Sequence, residues 1–177
     1  MNPKPVVILA AILVIPAGVF GQQPHGEKSL AARVQRLEDI QAIQNLLVEY
    51  GRTLDAHDLK AYSNLFAKDG EWGGGFGTAK TPAGILAMME KNLPAPAPGA
   101  KKRITYHLMS NFIIDVRGDT GTAWSRWTFV VPGANDQPEA MHSGHYEDTL
   151  VRENGQWRFQ RRVTYNDIPY LEPPSTK

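Results

Sequence analysis

Apolar residues in the first half of the chain recur every three or four positions. Leu37, Ile40, Ile43, Leu47, Tyr50 and Leu54 fall on one helix face, while Arg36, Glu38, Gln41, Gln44 and Glu49 fall on the others. The pattern predicts a helix from Ser29 to the neighbourhood of Leu54. Asp58 is placed to cap a second helix carrying Leu59, Tyr62, Leu65 and Phe66, which Asp69-Gly70 stops. Trp72 to Gly77 reads WGGGFG. It lacks the spacing of a phosphate-binding loop, which leaves a loop lining a cavity or a bulged strand. Thr81-Pro82 opens a third helix with Ile85, Met88, Met89 and Leu93, and the proline-rich stretch Pro94 to Gly99 ends it.

After Lys101 the period changes. Thr105 to Val116, Thr122 to Val131, Gly144 to Arg152 and Gln156 to Tyr165 read as four strands, separated by turns such as Arg117-Gly118-Asp119 and Glu153-Asn154-Gly155. Helices first and strands after predict an α+β domain with the helices on one face of an antiparallel sheet. Strand alternation assigns faces. Trp157, Phe159, Arg161 and Val163 share the apolar face of the last strand. Gly144, Tyr146, Asp148 and Leu150 share a face, as do Ala123, Ser125, Trp127 and Phe129, and His107, Met109, Asn111 and Ile113. Arg161 and Asp148 are thereby predicted to face each other, as a structural ion pair or as part of a cavity.

Composition narrows the class. The 177 residues carry 19 Lys+Arg against 18 Asp+Glu and no cysteine. The longest basic run, Lys101-Lys102-Arg103, is too short for a nucleic-acid-binding stripe. Without cysteine there is no disulfide framework, thiolate metal site or Cys nucleophile. Met1 to Gln23 has one Lys, an apolar run from Val6 to Ile15 and then small residues. It reads as a secretory signal peptide cleaved after Gly21, leaving no stable membrane span and a periplasmic or secreted protein. The expected organisation is a signal peptide over 1–21, a polar leader and helix start over 22–36, one domain over 37–168 and a disordered tail over 169–177.

Several stretches in this order resemble one family. They are Ile43 to Tyr50 (IQNLLVEY), Leu54-Asp55-Ala56-His57-Asp58, Leu65 to Gly70 (LFAKDG), Tyr106-His107, Gly144 to Asp148 (GHYED) and Trp157 to Arg162 (WRFQRR). From Leu37 to Tyr165 the chain resembles the SnoaL-like branch of the nuclear transport factor 2-like superfamily, which includes scytalone dehydratase, bile-acid dehydratase and ketosteroid isomerase. The resemblance implies a cone-shaped α+β barrel, a strongly bent antiparallel sheet wrapped around N-terminal helices. It also implies an apolar interior, with an Asp–His dyad as proton-abstracting base and Tyr and Arg near the leaving group. Asp55, His107 and Tyr50 match those positions, and Arg161 or Arg162 matches the late-strand Arg, alternation favouring Arg161. Trp127 and Phe129 stand where some dehydratases carry a further acidic residue. His145 is a candidate second histidine, although alternation sets it opposite Tyr146.

The chemistry suits these residue types. Removing a proton next to a carbonyl needs a base, and imidazole held by a carboxylate can serve. Tyr50 and Arg161 are candidate donors to developing oxyanion charge. Trp72, Phe76, Trp127, Phe129 and Tyr146 are the expected lining for a small hydrophobic carbonyl or hydroxy compound, cyclic or open-chain. No cofactor or metal is implied. His142-x-x-His145 lacks a third ligand at fixed spacing. Two further readings stay open: a non-catalytic holder of an apolar ligand, and a homodimer or homotrimer formed through the sheet's outer face, where Trp124 points.

Overall fold

The structure, a computed structural model, describes residues 29–172 apart from 96, 98 and 100–103. The expected signal peptide, the first part of the polar leader, the 101–103 basic run and the tail from 173 lie outside the described residues. Helix α1 spans Leu30–Asp55, and the Ser29 hydroxyl caps it by accepting from Ala32 N. It buries Ile43, Leu46, Leu47, Tyr50 and Thr53 against the sheet. Leu37, expected on that face, is 66% exposed, and Asp39 is buried instead. Asp39 is tolerated there because Arg152 (2.6 Å), Trp157 Nε1 (3.3 Å) and Gln35 (3.2 Å) donate to it.

Helix α2 (Leu59–Ser63) is capped by Asp58, which accepts from Ala61 N at 2.9 Å. It is shorter than expected: Phe66 already lies in strand β1 (Phe66–Gly74), which pairs with β2 (Gly77–Lys80). WGGGFG is thus the tip of a hairpin, with Gly75 and Phe76 as its turn. At the start of α3 (Thr81–Asn92), the Thr81 hydroxyl accepts from Gly84 N, as a cap does. The remaining strands are β3 (Tyr106–Arg117), β4 (Thr120–Pro132), β5 (Pro138–Glu153), β6 (Gln156–Ile168) and β7 (Tyr170–Leu171). Tyr170 and Leu171, assigned to a disordered tail above, pair with β6 because the chain doubles back after Pro169.

The seven strands form one open, curved sheet in the order β2-β1-β6-β5-β4-β3, with β7 on β6. It is mixed rather than wholly antiparallel, since β1 runs parallel to β6. The core lies between the concave face and the helices, with α1 along β3 and α3 against β1. Among the described residues no helix is long and apolar enough to cross a membrane.

Two bulges reset the faces that simple alternation assigned. In β3 the register slips between Ser110 and Ile113, where Asn111 takes φ 55°. His107 and Met109 keep their inward aim, but Ile113 turns out to solvent, 67% exposed, and Phe112 and Ile114 pack inward. In β6, Leu150 pairs with Phe159 but Thr149 pairs with Arg161, so Gln160 is the extra residue. Past it the inward position passes to Arg162, which is fully buried.

Candidate active site

Helix α1 ends at Asp55, with Ala56 as its C-cap. This termination lets Tyr50 and Asp55, five residues apart, face one cavity, since Asp55 stands at the helix mouth and not on the far side of a continuing cylinder. The cavity has a volume of about 750 Å³. It lies between α1, α2, α3 and the concave face of β3–β6, with Phe76, 44% exposed, at its edge.

On one wall Asp55 grips His107 twice. Its Oδ2 accepts from the His107 backbone N–H at 2.9 Å, and its Oδ1 lies 2.7 Å from the ring Nδ1. With the carboxylate accepting from Nδ1–H, Nε2 is the ring's acceptor, and His107 lines the cavity. Both side chains are largely shielded, 13% and 18% exposed. Phe129 packs on the imidazole with ring centroids 4.8 Å apart, and Trp127 lies 6.1 Å away, so neighbours fix the ring plane.

At the base, the Tyr50 hydroxyl accepts from Tyr62 Oη at 2.8 Å and from Trp72 Nε1 at 3.0 Å. Its own proton is then left to donate. Burial pushes the Tyr62 and Tyr146 phenols well above their ordinary value, so both stay protonated. Beneath this layer Arg162 lies 4.0 Å over the Tyr50 ring and 4.1 Å over those of Tyr146 and Phe159. Asp148 binds its guanidinium by two 2.7 Å hydrogen bonds. Burial pushes the Asp148 carboxyl up. Burial also works against the Arg162 charge, but Asp148 more than restores it, so the forked pair is ionised.

Of the nine residues expected in the site, eight line the cavity: Tyr50, Asp55, His107, Trp72, Phe76, Trp127, Phe129 and Tyr146. Arg161 does not. It lies on the outer face beside Trp124, Glu147 and Thr149, and its Nε is 3.6 Å from Glu71. Asp148 therefore pairs with Arg162, because the Gln160 bulge inverts the parity of the strand. Even Arg162 sits behind Tyr50 and Tyr146, outside the cavity lining. His145 is also on the outer face, 3.0 Å from Asp167 and stacked on Tyr165. His142, Thr164 and Asn166 line the cavity and were not anticipated. His142 was visible only as half of an apparent metal motif, whose two histidines in fact face opposite sides of the sheet. Among the described residues no group of three or more His, Asp or Glu is placed to hold a metal ion.

A helix-lined, curved α+β sheet with an Asp–His pair in its cavity defines a class, and comparison with known proteins places the chain in it. The SnoaL-like domain family matches residues 35–163, and the chain belongs to that family, within the nuclear transport factor 2-like superfamily. An NTF2-like protein with a cystatin-like fold from Novosphingobium aromaticivorans is 30% identical, with 77% of this chain and 89% of that one covered and a TM-score of 0.63. ActVI-ORFA from Streptomyces coelicolor is 25% identical over 72% and 96% of the two chains, with a TM-score of 0.62. A candidate scytalone dehydratase from Novosphingobium aromaticivorans shares the fold at 23% identity, 82% and 92% coverage and a TM-score of 0.62. Comparison with curated proteins returns no match.

Proposed function

We propose that the protein is a cofactor-independent lyase or isomerase that removes a proton next to a carbonyl in a small hydrophobic, cyclic compound. The observation that carries this reading is the 2.7 Å Asp55–His107 contact on the wall of an apolar cavity. His107 Nε2 takes the C–H proton and Asp55 steadies the resulting imidazolium. The electron pair moves toward the carbonyl oxygen, where donors on the cavity wall, Tyr50 among them, meet the developing charge. In an elimination the C–O bond at the β carbon then breaks, and the proton on His107 returns to the departing hydroxyl, which leaves as water. In an isomerisation the same proton returns to a different carbon.

The test is turnover of cyclic β-hydroxy ketones such as 4-hydroxy-2-tetralone, whose loss of water gives 2-naphthol. Wild type should accelerate that loss over buffer. His107→Ala should lower the rate by about 10²–10⁴-fold, with Asp55→Asn also impaired through the wrong tautomer. Binding without any acceleration would instead support a ligand holder.

Export and assembly belong to this proposal. The N-terminus of the exported protein should begin at Gln22. Light scattering should show a dimer or trimer, assembled over the outer-face stack of Trp124, His145 and Tyr165.

A further inference from the structure

The cavity holds a second group of polar atoms that the dyad does not use. Trp127 is 5% exposed, yet among the described residues its indole N–H has no hydrogen-bond partner. The buried Thr164 Oγ1 is likewise unpartnered, and both residues line the cavity. Leaving a buried donor unmatched costs about 1–3 kcal/mol, so such atoms in a cavity wall mark where a ligand supplies the missing partner.

Sheet register brings these groups together. Trp127 pairs with Gly144, Gly144 pairs with Asn166, and Tyr146 pairs with Thr164. Gly144 has no side chain to separate its neighbours. A Cβ there would stand 2.9 Å from Trp127 Cε2, the carbon bearing the indole nitrogen. The indole therefore lies across β5 toward β6, where Thr164 and Asn166 share the inner face. Its ring centroid is 6.1 Å from that of His107, so one small molecule can touch both.

The donor set specifies the ligand atom. An indole N–H only donates, so its partner is an acceptor oxygen. Among the described cavity-lining residues there is no Lys or Arg, and Asp55 already supplies a carboxylate. A ligand anion would be buried beside a like charge, with only the imidazoles of His57, His107 and His142 to offset it. We infer that Trp127 Nε1, with Thr164 Oγ1 and Asn166 beside it, forms a subsite for an uncharged acceptor oxygen, a carbonyl or ether, of the molecule presented to His107. This assignment rests on the functional reading above only for what His107 does to that molecule.

The test compares 2-tetralone with tetralin, the same bicyclic skeleton without oxygen, and with 1-naphthoate. Calorimetry on wild type should show 2-tetralone bound about tenfold more tightly than tetralin, as one neutral hydrogen bond gives, and 1-naphthoate no better than tetralin. In ¹⁵N–¹H spectra the Trp127 indole N–H should move downfield with 2-tetralone and not with tetralin. Trp127→Phe should cut the preference at least fivefold, and Thr164→Val should reduce it in part. His107→Ala should keep the preference whole, so loss of turnover there leaves the subsite standing. An unmoved Trp127 indole signal in the wild-type complex, a preference that survives Trp127→Phe, or tighter binding of 1-naphthoate would each overturn the inference.

Discussion

Arg161 and Arg162 stand side by side and have opposite fates, which makes them a direct residue-scale check on the site. Arg162 is fully buried and ionised against Asp148, under the ring of Tyr50. Removing one member of a buried pair strands the other charge. Arg162→Met should destabilise by about 3–5 kcal/mol in urea unfolding. Arg161, half-exposed and 3.6 Å from Glu71, should change stability by less than about 0.5 kcal/mol on replacement by Ala. Equal effects would mean that the Gln160 bulge is misplaced. The same residues show where sequence reading stops. Asp55, His107 and Tyr50 were legible through the family resemblance, whose matching positions lie upstream of the β3 and β6 bulges. The inward arginine was not, because nothing in Phe159-Gln160-Arg161-Arg162 marks an extra residue in a strand.

At the scale of the element, the bulges and close approaches decide which side chains meet. The β3 bulge did leave a trace: Asn111 is a residue that tolerates φ near 55°, set in the middle of a strand between Ser110 and Phe112. Read that way, it would have turned Ile113 outward. The parallel β1–β6 pairing left none, because LFAKDGEW reads equally as a helix end and a loop. Two glycines allow opposite predictions. Gly144 accommodates the Trp127 indole, and a Cβ there would also collide with the Tyr165 carbonyl oxygen. Gly144→Ala should thus cost more than about 3 kcal/mol, or leave no folded protein to melt. Gly51 sits inside α1, where an added Cβ meets Met109 and His107 at 3.5 and 3.6 Å, ordinary contact distances. Gly51→Ala should raise stability by about 0.5–1 kcal/mol through the lower backbone entropy of the unfolded chain, read as an increase in melting temperature. A drop would show that α1 and β3 are closer than described.

For the whole molecule, the three helices and the strands β3 to β6 were legible in their order, whereas β1, β2, β7 and the long-range ion pairs that tie α1 to the sheet were not. Arg36 of α1 meets Asp115 of β3 at 3.0 Å, and Asp39 meets Arg152 of β5 at 2.6 Å. Burial opposes the Asp39 charge, but Arg152, Trp157 and Gln35 outweigh it and hold the carboxyl below its ordinary 3.8. Arg36 and Arg117 do the same for Asp115. A carboxyl lowered in the folded state adds stability above its unfolded value, and that stability is lost as pH falls through the folded one. The melting temperature should therefore decline below about pH 4. Asp39→Asn should be less stable at neutral pH and flatter through that range, and an unchanged acid profile would contradict the assignment.

Helix α1, tied to the sheet by these pairs, ends at Asp55, which reaches His107. That convergence is tested most directly by following deuterium uptake at the C–H positions beside the carbonyl of 2-tetralone in D₂O. Wild type should speed the exchange over buffer, and His107→Gln, folded and still binding the ketone, should slow it by about 10²–10⁴-fold. Exchange in His107→Gln at the wild-type rate would contradict the account.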